Sequence, residues 1–203
     1  MDALKERHTV SQRLAFAPEL DVPRQLRIGV ATNFKADTEV AAAFGGAVEI
    51  VARLGHIMKE TAVPFAGPAT GIRHIERDRK TIAGQLFTEI DVLLLPTTTS
   101  TVPRAAAATP DPQALSPENT VFANYFGLPA ISVPCGFDSS GLPVGLQIVA
   151  GPWADLNVLV VARQYERTAG WFSKHPTVTP DWPHPTAGRD ENAAKRYRVL
   201  TYA

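Results

Sequence analysis

The chain has 203 residues, 45% of them hydrophobic and 20% charged, which is ordinary for a globular protein and long enough for one substantial core. Its 20 Lys and Arg balance 20 Asp and Glu, so a formal charge of zero gives no electrostatic case for nucleic acid or an anionic membrane as partner. The apolar runs at 92–95 and 158–162 are too short to span a bilayer, the first eight residues hold no apolar leader, and the lone Cys135 excludes an internal disulfide framework, so a cytoplasmic location is expected.

In chain order, residues 1–25 are polar, carry Pro18 and Pro23, and read as a lead-in. Residues 26–31 alternate and suit a strand. Asp37 then caps a helix whose apolar face is Val40, Phe44, Val48, Val51 and Leu54, with Gly55 as its stop. Gly45 and Gly46 inside it cost roughly 1 kcal/mol each relative to Ala, which predicts close packing or a distortion there. Residues 56–61 read as a second short strand, completing one α/β crossover unit. A Pro/Gly-rich break covers 63–71. A helix follows over 71–89, with Ile72, Ile75, Ile82 and Leu86 on one side.

Residues 91–95 form a continuous apolar run, the mark of a strand buried on both faces. Pro96 ends it, and 97–101 is a hydroxyl-rich loop. Residues 105–117 hold Pro110, Pro112 and Pro117 and exclude long regular structure. A short helix over 118–126 runs into Gly127-Leu-Pro129. Strands at 130–133 and 144–150, joined by a turn at 137–141, read as a hairpin. An amphipathic helix spans 154–168, with Leu156, Leu159, Val160, Arg163 and Tyr165 near its inner face and Gly170 as its stop. The tail from His175, with Pro176, Pro180, Pro183 and Pro185, is expected to wrap the surface or be disordered.

Three motifs occur in order: Phe87-Thr-Glu-Ile-Asp91-Val-Leu-Leu-Leu-Pro-Thr97, then Asn124-Tyr-Phe-Gly-Leu-Pro-Ala-Ile-Ser-Val-Pro-Cys-Gly136, then Gly141-Leu-Pro-Val-Gly-Leu-Gln147. Together they resemble the C-terminal part of amidase-signature hydrolases, and the resemblance covers 26–55 and 81 to about 171. It implies an α/β fold, a three-layer α/β/α sandwich with a mixed sheet, with 26–172 as a partial amidase-signature domain between the lead-in and a 173–203 tail. It also implies carbon–nitrogen hydrolysis of carboxylic amides through an acyl-enzyme. That mechanism uses a Ser nucleophile activated through a second Ser by a neutral Lys, with backbone N–H groups as oxyanion hole, and no cofactor.

The chain departs from the pattern in two places. The Lys and the Gly-Gly-Ser-Ser-type loop would lie before Leu26, where 25 residues stand, and a middle segment is skipped between Glu60 and Arg79. The expectation is therefore a scaffold without a catalytic residue of its own, inactive in isolation. The competing reading is a non-catalytic remnant or partner module that docks with a complementary amidase half or self-associates. A small-molecule amide would bind if the pocket were completed.

Ser139-Ser140 reads as a hairpin turn. Lys5, Lys35, Lys59, Lys80, Lys174 and Lys195 read as solvated surface amines, and Cys135 as a small packed thiol. The histidines form no i,i+4 pair that would suggest a metal site, and Gly45-Gly46 lacks the Lys-Ser/Thr of a phosphate loop. By resemblance the substrate-binding candidates are Thr97, Thr98, Ser116, Thr120 and Asn124, on the loop and segment that face the pocket in full-length relatives. Thr97 can instead cap the strand end, and Asn124 can instead bond the Gly127 turn. Gln147 is expected to satisfy backbone groups inside the sheet.

Overall fold

The computed structural model describes residues 25–65, 74–103 and 114–174. Five strands, β1 (Arg27–Ala31), β2 (Ile57–Thr61), β3 (Val92–Pro96), β4 (Ala130–Phe137) and β5 (Pro143–Ala150), form one sheet in the order β2-β1-β3-β5-β4. β2, β1 and β3 are parallel, while β5 runs antiparallel to both β3 and β4, so the sheet is mixed.

Strand β3 is central because its sequence lets it be. Val92, Leu94 and their neighbours carry no polar atom on either side, and every residue of the strand is buried. Val92 and Leu94 join one apolar cluster with the helices α1 (Thr38–Arg53) and α5 (Asp155–Ala169). Leu93 and Leu95 join the other, with Phe122 and Phe126 of the helix α4 (Glu118–Phe126). Helices on both faces make the three-layer α/β/α arrangement that the sequence implied. Between β2 and β3 lie two short helices, α2 (Ile75–Asp78) and α3 (Gly84–Glu89), joined by a π-helical turn, Arg79–Ala83.

Asp91, in the first motif, ties β1 to β3. Its carboxylate accepts from the Arg27 backbone N–H at 2.8 Å and from Arg27 Nη2 at 2.8 Å, while its own N–H donates to the Arg27 carbonyl at 2.7 Å. The starts of β1 and β3 are thereby held in register.

Four expectations are corrected. The strand read as 130–133 runs on to Phe137, through Pro134 and a register shift between Pro134 and Gly136; an edge strand tolerates both a missing N–H and a bulge. The inner face of α5 is Val158, Val160, Val161, Ala162 and Tyr165; Leu156, Leu159 and Arg163 are only partly covered. The helix α1 is regular through Gly45 and Gly46, and nothing lies within 4 Å of where a Cβ would stand on either, so neither close packing nor distortion explains them. The helix read over 71–89 begins at Ile75 among the described residues and is interrupted by the π turn. The reading of the tail falls outside the described residues, save for Ser173 and Lys174.

Candidate functional site

The loop after β3 sits at the carboxyl ends of the three parallel strands, beside the start of α1. Thr97 continues the β3–β5 ladder by donating its N–H to the Gly145 carbonyl at 2.9 Å. Its hydroxyl lies 2.6 Å from that of Ser132 on β4. This pair spans β5 at Gly145, where an added Cβ would stand 2.7 Å from both hydroxyl oxygens, so only glycine permits the approach.

Asp37 organises the rest of the loop. One carboxylate oxygen accepts from the Val40 N–H at 2.8 Å, the N-cap bond foreseen from sequence, and the other accepts from the Thr101 N–H at 2.9 Å. Its backbone N–H donates to the Thr99 carbonyl at 2.8 Å. The Val40 N–H, first, and then the Thr101 N–H hold the carboxyl below its ordinary value, against the opposing effect of partial burial. Asn119 completes the anchor. It is 1% exposed, and its carboxamide donates to the Lys35 carbonyl at 3.0 Å and the Thr98 carbonyl at 3.3 Å.

Between this loop and the β4–β5 hairpin lies a cleft of about 300 Å³, lined by Thr97, Thr98, Ser100, Thr101 and Ser132 and by Val102, Val133, Val144, Pro134 and Pro143. Among the described residues no ionisable side chain lines it. Such a cleft suits a neutral ligand that both donates and accepts hydrogen bonds and has apolar flanks.

Of the residues singled out from sequence, Thr97 and Thr98 line this cleft; the Thr98 hydroxyl is turned to the Ser100 carbonyl at 2.9 Å. Ser116 and Thr120 do not line it: they close the first turn of α4, accepting from the Glu118 N–H at 3.3 Å and donating to the Pro117 carbonyl at 2.9 Å. Asn124 lies a full turn further along α4, exposed, its carbonyl accepting from the Gly127 N–H at 3.3 Å. Sequence reasoning missed Ser132 and Asn119. The signal for Asn119 was present: with Phe122, Ala123 and Phe126 it occupies the buried i, i+3, i+4, i+7 face of α4. Gln147, opposite Ser132 and Leu95 in the sheet, is 4% exposed, and its Oε1 has no hydrogen-bond partner among the described residues.

The remaining nucleophile candidates have ordinary surroundings. Ser139 at the hairpin tip donates its hydroxyl and its N–H to the Glu39 carboxylate at 2.9 and 2.8 Å. Burial pushes the Cys135 thiol up to about 12, the opposite of activation. Lys35 and Lys59 stand in exposed ion pairs with Glu118 and Glu89. His56 accepts from the Leu26 N–H at 3.3 Å and bonds Gln164 at 2.9 Å. Among the described residues no three His, Cys, Asp or Glu converge as metal ligands, and no helix is long and apolar enough to cross a membrane.

Comparison with known proteins gives the site its context. The family model "Amidase" matches residues 69–159. A glutamyl-tRNA(Gln) amidotransferase subunit from Brevibacillus brevis is 47% identical over 93 residues, 45% of this chain and 19% of that protein. The chain thus spans about a fifth of the length of the curated relatives it matches. Among solved structures, a 6-aminohexanoate cyclic dimer hydrolase superposes with a TM-score of 0.66 at 25% identity, over 81% of this chain and 50% of that one. The corresponding glutamyl-tRNA(Gln) amidotransferase subunit of Thermotoga maritima superposes with a TM-score of 0.57 at 22% identity, over 72% and 43%, a likeness of fold. The three motifs, the mixed sheet and the match over 69–159 make this part of the chain similar to the amidase-signature family.

Proposed function

We propose that this chain supplies the scaffold and one wall of the substrate cleft in the hydrolysis of a small carboxylic amide. The observation that carries the reading is the cleft between the 97–101 loop and the β4–β5 hairpin, whose described lining is uncharged and includes the bonded Thr97–Ser132 pair. An amide is neutral, donates through N–H and accepts through its carbonyl, and its flanking groups find Val102, Val133 and Val144. The nucleophilic Ser, its Ser relay and the neutral Lys come from another stretch of polypeptide. Attack by that Ser on the carbonyl breaks the C–N bond with release of ammonia or amine, and water then cleaves the acyl ester. No cofactor enters this scheme. Thr97 and Ser132 hold the amide; Ser116, Thr120 and Asn124 shape the segment behind the loop.

The chain on its own is expected to be inert. Treatment with a fluorophosphonate probe and with a small aliphatic or aryl amide gives neither labelling nor ammonia, and stoichiometric labelling of any serine overturns the scaffold reading. A second reading, a non-catalytic module that docks with a complementary half or with itself, is favoured by the names of the curated relatives, which are subunits of an amidotransferase. Light scattering together with an ammonia-release assay, with and without a polypeptide carrying the Gly-Gly-Ser-Ser-type loop, separates the two: restored turnover supports the first, a complex without turnover the second.

A further inference from the structure

We propose that the chain has a second ligand site, for an aromatic carboxylate, at the opposite end of the sheet from the hydroxyl loop, with Trp153 stacking on the ring and Arg79 and Lys80 receiving the carboxylate. Ala150, where β5 ends, is paired with Val92 at the start of β3, whereas Thr97 follows the end of β3, so the length of the central strand separates this place from the cleft described above. The inference therefore stands independently of the amide reading.

Trp153 is 96% exposed and has φ +64, the one non-glycine residue with positive φ among those described. A bulky side chain in the left-handed region is a genuine outlier, and such outliers gather at functional sites. The turn that imposes it is rigid: the Ala154 N–H donates to the Gly151 carbonyl at 3.0 Å, and Gly151 lies so close to Phe87 that a Cβ would stand 3.1 Å from it. The turn thus presents the Trp153 side chain to solvent.

It borders a cleft of about 610 Å³ floored by Phe126, Leu128 and Pro129. The other wall is the π-helical turn, a feature itself concentrated at functional sites. There the Arg79 guanidinium is preorganised. Its Nε donates to the Tyr125 carbonyl at 2.8 Å and its Nη2 to the Asn124 carbonyl at 3.4 Å, and it lies against Gly127, where a Cβ would come within 3.1 Å of Cζ. The preceding residue pins the turn: Asp78, 5% exposed, accepts from the Tyr125 hydroxyl at 2.8 Å. Arg79 Nη1 takes no part in these bonds. Lys80 is exposed beside it and Asp155 also lines the cleft, so among the described residues two cations and one anion line it. That balance suits a single carboxylate rather than a dianion. A planar guanidinium matches a carboxylate edge, and an indole face matches an aromatic ring.

The test uses the full chain with 2-naphthoate and its neutral counterpart of like shape, 2-naphthamide, titrated by saturation-transfer NMR. Naphthoate is expected to bind with a submillimolar Kd and naphthamide about tenfold more weakly. Lys80→Gln should weaken naphthoate several-fold and leave naphthamide unchanged. Trp153→Asn should weaken both while raising the thermal midpoint, because Asn tolerates the left-handed backbone; that rise also certifies that the variant is folded. Equal affinity for the two compounds, no response to either substitution, or no binding of naphthoate at millimolar concentration overturns the proposal.

Discussion

Replacing Asp37 by alanine tests how the hydroxyl loop is held. The change removes the N-cap bond to Val40 and the bond to the Thr101 N–H together. Loss of a cap costs about 1 kcal/mol, and loss of a second bond from a partly covered backbone donor about 1 kcal/mol more. The sum, about 2 kcal/mol, lowers the thermal midpoint by about 4–8 °C in a domain of this size. The effect depends on pH in a defined direction. The folded state holds the carboxyl below its unfolded value, so the contribution is complete above that value and is lost as pH falls through the folded pKa. Urea denaturation of wild type and Asp37→Ala at about pH 7 and about pH 2.5 should therefore show a deficit that shrinks on acidification. Asp37→Asn, which keeps one acceptor oxygen, should fall between the two at neutral pH. A deficit under about 0.5 kcal/mol, or one equal at both pH values, would refute the assignment of Asp37 as the organiser of the loop.

The exposed helical glycines predict the opposite sign. Gly45→Ala and Gly46→Ala meet no atom within 4 Å, so each should stabilise by about 0.5–1 kcal/mol in the same denaturation assay. Gly145→Ala drives a methyl group to 2.7 Å from the Thr97 and Ser132 hydroxyls; it should destabilise by about 1–3 kcal/mol and abolish binding of a small amide such as propionamide, read by ligand-observed NMR. Cys135, 3% exposed and with its thiol pushed up to about 12, should remain unmodified by a thiol reagent at mildly alkaline pH until denaturant is added, as followed by mass spectrometry.

The sequence made the framework legible where local chemistry and tertiary packing agree. The run 92–95 is apolar on both faces, and it became the central strand; Asp37, Gly55 and Gly170 are helix punctuation, and each acts as such, the two glycines with φ of +86 and +68. Expectations failed where packing overrides local preference. The strand read as 130–133 runs on through Pro134 and Gly136, because an edge strand needs no donor on its open side and absorbs the irregularity as a register shift. The inner face of α5 slipped because branched residues occur on several of its sides, and the sheet selects among them. The candidate site was half legible. Thr97 and Thr98 follow from their place after a buried strand, but Ser132 comes close to Thr97 only through a three-strand register that no local pattern encodes. Trp153 gave no sequence signal, because its exposure follows from one backbone dihedral.

The strand order also carries a kinetic consequence. Arg27 and Asp91, which tie β1 to β3, are 64 residues apart, whereas β4 and β5 are joined by a turn closed between Asp138 and Leu142. Loop-closure entropy is small for the hairpin and large for the central pairing. This predicts assembly from the outside of the sheet inward, with the hairpin and the crossover unit forming first and the apolar faces of β3 open to self-association until both neighbours arrive.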